Sequence, residues 1–172
     1  TQAKIMKLGF ACVLALTTLT SFSQSDQISK NTLDEDLEIL EEKIIKSVIE
    51  NFLISIGNYK IDSLATMFTD NANISGASLK NGIWRSYTMT IQEFLATLRS
   101  SPNPEKYREP VNHWTIHIDG GRLAFVRADA TLFKDGKAQS HNIDYFTLLK
   151  ENGQWKILNG SYVSQPIEPE KK

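Results

Sequence analysis

The stretch that decides the fold is Val111–Val163, VNHWTIHIDGGRLAFVRADATLFKDGKAQSHNIDYFTLLKENGQWKILNGSYV. It reads as four alternating strands joined by short turns at Asp119-Gly120, Asp135-Gly136 and Asn152-Gly153. Asp-Gly and Asn-Gly favour the tight type I′ hairpin, whose two central residues need positive φ. The C-terminal half is therefore expected to be an antiparallel β-meander.

Side chains alternate faces along a strand, so parity sorts them. Trp114, Ile116 and Ile118 share one face of the first strand, and His113, Thr115 and His117 the other. In the second strand Ala124, Val126, Ala128, Ala130 and Leu132 form the apolar face; Arg127, Asp129 and Thr131 oppose them. Inward alanines such as Ala128 and Ala130 leave volume that a curled sheet can enclose as a cavity. In the third strand, if Phe146 and Leu148 point inward, so do Asn142 and Asp144. In the fourth, the parity of Trp155 and Ile157 carries inward to Asn159 and Ser161. These four polar residues would give an apolar pocket a polar end, or form a self-satisfied structural cluster. A buried carboxylate there must be paired or held protonated.

Ahead of the meander, Leu37, Leu40, Ile44, Ile45, Val48, Ile49, Phe52, Leu53 and Ile56 recur at helical spacing. Thr32-Leu33-Asp34-Glu35 has the capping-box pattern that would open this helix, and Gly57-Asn58 would end it. A short helix is expected over Ile61–Phe68, a strand over Ala72–Ala77, and a loop over Gly76–Tyr87 exposing Trp84 and Tyr87. Thr90-Ile91-Gln92-Glu93 is a second capping box, opening a helix to about Arg99. Ser100–Pro110 reads as a Pro-rich polar loop, and 166–172 as a charged disordered tail. Helices segregated from an antiparallel sheet make an α+β domain over 36–165.

The chain has 172 residues, 41% hydrophobic and 23% charged, with a formal net charge of −1. That balance gives no electrostatic footprint for nucleic acid or an anionic membrane. Residues 1–24 read as a signal peptide: Lys4 and Lys7, an apolar run from Leu8 to Leu19, then small residues at Ser21 and Ser23. The run is too short to span a bilayer. Residues 25–35 read as a linker, and the mature protein is expected to be secreted or periplasmic. Cys12, the only cysteine, would leave with the signal, which excludes disulfide and thiolate chemistry. His113, His117 and His141 fall on the outer face and read as surface or subunit-interface residues, not metal ligands. No metal or cofactor is expected. There is neither a nucleophile elbow nor a phosphate-cradling glycine loop.

Val48-Ile49-Glu50-Asn51-Phe52-Leu53, Ile61–Ala72 and Asp144–Leu158 together resemble the nuclear transport factor two-like, or SnoaL-like, superfamily over residues 36–164. The ending is most similar to its putative lumazine-binding branch. The resemblance implies a cone-shaped curled sheet with three N-terminal-half helices on its concave face, a pocket between them, and homodimers through the outer sheet face. It also invites comparison with ketosteroid isomerases. Asp144 falls where those enzymes keep a protonated aspartate. Their tyrosine donor falls at Phe52, and their base near Gly76 or Ser75, so two of three catalytic groups are missing. The leading expectation is thus a pocket protein for a small, largely apolar molecule. Asp144, Asn142, Asn159 and Ser161 would orient it, and Phe52, Trp84, Trp114, Ala128 and Ala130 would contact it. The alternatives are a cofactor-independent isomerase, dehydratase or hydrolase using Asp144 as acid or base, and a dimeric interaction module without ligand.

Overall fold

The computed structural model describes residues 14–101 and 105–167. Residues 1–13, which hold the charged start of the expected signal and Cys12, lie outside them, as do residues 168–172 of the expected tail. Among the described residues there are three helices, α1 (Leu14–Gly57), α2 (Ile61–Ala65) and α3 (Ile91–Arg99). The strands are β1 (Phe68–Lys80), β2 (Ile83–Thr90), β3 (Val111–Asp119), β4 (Leu123–Lys134), β5 (Lys137–Glu151) and β6 (Gln154–Pro166). Residues to Leu40 form one compact unit, and Glu41–Lys172 the other, which carries the sheet.

Helix α1 starts earlier than the Thr32 capping pattern suggests, and the expected linker, 25–35, is helical. No proline interrupts Leu14–Gly57, and its only glycine is the last residue, so nothing breaks the helix sooner. Of its expected apolar face, Ile45, Ile49, Phe52 and Leu53 are buried, while Leu37, Leu40 and Ile44 are exposed. Phe52 meets Phe68 and Phe146 edge-on, with ring centroids 5.6 Å away in both pairs. Glu41 accepts hydrogen bonds from Lys150 and the Trp155 indole, tying this half of α1 to β5 and β6. The Lys150 hydrogen bond, before that of Trp155, holds the Glu41 carboxyl below its ordinary range.

The sheet order is β2-β1-β6-β5-β4-β3. Every neighbouring pair is antiparallel except β1 and β6, so the sheet is mixed. The meander forms as read, and Asp135-Gly136 and Asn152-Gly153 hold positive φ in their turns. In the first turn the positive-φ pair is Gly120-Gly121, one residue later than expected.

Three other expectations change. The short strand at Ala72–Ala77 and the loop at Gly76–Tyr87 are one hairpin, β1–β2, turning at Asn81-Gly82 with φ of 54° and 76°. Helix α2 stops at Ala65, because β1 begins at Phe68. Pro166, placed in the tail by sequence, pairs with Ser140 at the end of β6.

Helix α3 begins as its capping box requires. Glu93 N donates to Thr90 Oγ1 at 3.2 Å, and Thr90 N donates to Glu93 Oε2 at 2.8 Å. Ile91, Phe94 and Leu95 then enter the core. Thr90→Ala should cost about 1 kcal/mol in a urea melt; an unchanged midpoint would show the cap to be redundant.

Candidate functional site

The register aligns three transverse rows of inward side chains on the core face of the sheet. Ile74, Gly160, Phe146 and Val126 make an apolar row. The next row crosses all six strands as Tyr87, Gly76, Tyr162, Asp144, Ala128 and Trp114. Beyond it lie Ser78, Ser164, Asn142 and Ala130. A polarity gradient is thus written across the strands, from apolar to hydroxyl and amide.

These rows meet α1 and the 105–110 segment around a cavity of about 500 Å³. Phe52, Leu53, Phe94 and Phe146 line it on the apolar side; Asn142, Asp144, Glu109, Tyr107 and Tyr162 line it on the polar side. Gly76 makes room for the tyrosines: a Cβ there would lie 2.6–2.7 Å from the rings of Tyr162 and Tyr87. The Tyr87 hydroxyl donates to that of Tyr162 at 3.2 Å. Burial first, then this contact, raises the Tyr87 phenol above its ordinary pKa.

The expected site residues divide. Phe52, Asn142 and Asp144 line the cavity. Asn159 does not, and Ser161 lines it without offering its hydroxyl, which donates to Asn159 Oδ1 at 2.9 Å. The cause is a β-bulge. Leu148 pairs with Ile157 but Thr147 with Asn159, so Leu158 is an extra residue that flips parity downstream. Gly160, Tyr162 and Ser164 turn inward in place of Asn159 and Ser161. Trp84 is 51% exposed on β2 and outside the cavity. Trp114 is partly buried against the core, and Ala128 and Ala130 are buried in the sheet; none of the three lines the cavity. At these positions the expected spare volume is core packing.

The second acid, Glu109, was not read from the sequence. Residues 105–110, expected to be loop, run strand-like along the end of β4. Arg108 N donates to Phe133 O at 3.1 Å and Phe133 N to Arg108 O at 2.8 Å, with the Arg108 guanidinium 4.3 Å from the Phe133 ring centroid. Alternation then sends Tyr107 and Glu109 to the cavity side. The hint in the sequence is the spacing of Tyr107 and Glu109 about Arg108, too short a pattern to separate from a loop.

Asp144 is 6% exposed, and its Oδ2 has no hydrogen-bond partner among the described residues. Burial foremost, then the charges of Glu109 and Asp129, push its pKa up to about 8. Glu109 is also raised by burial, against a hydrogen bond from Asn142 Nδ2 that favours its carboxylate. Asn142 is itself set by Ser140 Oγ, which donates to its Oδ1 at 3.0 Å. Tyr107 is raised by burial and then by Glu109. The one cation in the wall among the described residues, Lys134, is paired with Glu105 at 2.9 Å. Among the described residues no three His, Cys, Asp or Glu side chains converge as metal ligands, and no helix is long and apolar enough to cross a membrane. His113, His117 and His141 point outward.

A search of curated proteins found no match. Among solved structures the chain is similar to an NTF2-like protein of unknown function from Shewanella baltica, at 21% identity and TM-score 0.55, covering 75% of this chain and 97% of that one. A protein of unknown function with a cystatin-like fold from Nostoc punctiforme aligns at 13% identity and TM-score 0.60, over 76% and 95% of the two chains. A "Putative Scytalone Dehydratase" from Novosphingobium aromaticivorans aligns at 14% and 0.61, over 80% and 93%. At such identities the likeness shows the fold alone, the nuclear transport factor two-like α+β fold. The family described as "Putative lumazine-binding" matches residues 40–163, and with the mixed curled sheet closed over by helices and the row of Tyr162 and Asp144 already in place, the chain belongs to that family.

Proposed function

We propose that this protein binds a small, largely apolar molecule in the cavity beneath α1. The carrying observation is a cavity of about 500 Å³ with an aromatic and aliphatic end and a few convergent polar groups. That size and lining suit a small-molecule site. Phe52 and Phe146 would hold the body of the ligand, and Asp144 and Asn142 would orient it. The test is binding of the neutral fluorescent probe N-phenyl-1-naphthylamine, with native mass spectrometry for a retained ligand. Ser78→Trp, which places an indole in the cavity wall, should abolish binding while far-UV circular dichroism stays unchanged. A probe that binds the variant equally well would locate binding elsewhere.

A second reading is supported by Glu109. Sequence reasoning found no acid–base partner for Asp144, whereas here burial raises both Asp144 and Glu109, and the Asn142 hydrogen bond opposes the rise at Glu109 alone, so the two acids are partnered unequally. Such an unequal pair can donate and accept protons in an isomerase or dehydratase. A turnover lost in both Asp144→Asn and Glu109→Gln would establish it; turnover unaffected by either would dismiss it.

We also propose export by residues 1–24, with a secreted or periplasmic mature chain, and a homodimer through the outer sheet face. Phe125 and Tyr145 are each 47% exposed there. Arg127 beside them forks onto Asp129 at 2.8 and 3.3 Å and donates to the Tyr145 hydroxyl at 3.1 Å. Phe125→Glu should convert a dimer to a monomer in sedimentation, and a wild-type monomer would refute the interface. N-terminal sequencing of the exported protein would locate cleavage near Ser23.

A further inference from the structure

We infer that the cavity's ligand carries a protonated amine, seated between Asp144 and Glu109 with its apolar body against the aromatic wall. The inference rests on the pocket reading and names its ligand class. Three observations carry it.

First, the two acids lack an opposing cation among the described residues. Lys134 is the only basic side chain among them that lines the cavity, and its ammonium is bound to Glu105. Second, the acids are partnered unequally. Glu109 takes the Asn142 amide, while Asp144 Oδ2 is buried without any donor. A polar atom so placed costs free energy until something donates to it. Third, the surrounding donors are phenols. Tyr59, Tyr107 and Tyr162 line the cavity, and aromatic side chains favour a desolvated cation.

The charge balance selects among ligand classes. Neither acid faces a free cation among the described residues, so a neutral ligand leaves the pair without a counter-ion. An anionic ligand adds like charge beside it. An ammonium supplies the counter-charge, donates to the orphan Oδ2, and makes charge-assisted hydrogen bonds, the stronger kind.

The test uses purified protein loaded with N-phenyl-1-naphthylamine and three displacing probes of one shape: tryptamine, tryptophol and indole-3-acetate. Tryptamine should displace the dye at about a tenfold lower concentration than tryptophol, a gap of about 1.4 kcal/mol, and indole-3-acetate should be the weakest. Asp144→Asn and Glu109→Gln should each bring the tryptamine-to-tryptophol displacement ratio down to about one, a ratio read within each variant. If tryptophol equals tryptamine, the amine is overturned while the pocket stands. If tryptamine's advantage survives in both variants, its site is not this acid pair, and the inference fails. If the dye does not enter wild-type protein, the pocket reading falls and takes the amine with it.

Discussion

Asp144→Asn should make the protein more stable at pH 7 by about 3–4 kcal/mol, a gain expected of few substitutions. Folded Asp144 keeps its proton up to about pH 8, because burial and the charges of Glu109 and Asp129 oppose ionisation. In the unfolded chain it ionises near its ordinary value of 3.8. Below that value both states are protonated, and ionisation of the group costs folding nothing. Between the two values unfolding releases a proton, so stability falls as pH rises, by up to about 1.4 kcal/mol per pH unit. Above about pH 8 the loss is complete. Asparagine fills the same space and cannot ionise, so the variant escapes this slope. Urea melts should show little difference at pH 4, a widening gap through pH 7, and a plateau beyond pH 8. Glu109 follows the same sign, raised by burial against the Asn142 hydrogen bond. Tyr107, raised by burial, stays neutral through this window and adds no slope. A variant less stable than wild type at pH 7 would show that the Asp144 carboxyl is partnered in the fold, and would remove the basis for an empty cation position.

Such a buried acid makes sense as a function held at the expense of stability. The protein keeps a group that its fold would shed. In its row Tyr162 pairs directly with Asp144, and Gly76 beyond it admits the Tyr162 and Tyr87 rings. The isomerase comparison also sharpens here. Where those enzymes have a base near Gly76, this chain has two tyrosine rings crossing a glycine; where they have a tyrosine on the first helix, it has Phe52. The phenols of Tyr107 and Tyr162 approach the polar end from other elements.

Parity was enough to find Asn142, Asp144 and the outward histidines, because β3 from His113 onward, β4 from Leu123 to Leu132 and β5 from Ser140 to Thr147 keep an unbroken register. It failed at Asn159 and Ser161 because one added residue, Leu158, reverses every face after it. The available signal was Gly160, since an isolated glycine within a strand marks a bulge or a close approach. A Cβ at Gly160 would lie 3.1 Å from Ile74 Cδ1. The β1–β2 hairpin was legible too, because Asn81-Gly82 is the same dipeptide that announced the meander, but the polar run after Gly76 masked it. Glu109 was not legible. Its position depends on a backbone bridge from Arg108 to Phe133, a tertiary pairing that no local pattern encodes.

Gly57→Ala should lower stability by about 2 kcal/mol and weaken dye binding together, although helix propensity alone argues the opposite. Gly57 is the last residue of α1, and alanine there would ordinarily gain up to about 1 kcal/mol. The left-handed residue that ends the helix is instead Tyr59, at φ 56°, with Lys60 N donating to Ser55 O at 2.9 Å and Tyr59 N to Ile56 O at 3.1 Å. The glycine serves another need. A Cβ at Gly57 would sit 2.3 Å from the backbone oxygen of Tyr107, and Tyr107 N donates to Gly57 O at 3.0 Å. Backbone cannot swing away as a side chain can, so overpacking of about 3 kcal/mol outweighs the propensity gain. The strained segment carries Tyr107 and Glu109, so the polar end of the cavity should move with it. Tyr59→Gly separates the two roles. It relieves a left-handed tyrosine, worth about 1 kcal/mol, and leaves the crossing intact, so it should melt no lower than wild type while losing one aromatic wall. If Gly57→Ala proves as stable as wild type and binds the dye as tightly, the 105–110 segment does not owe its place to this glycine.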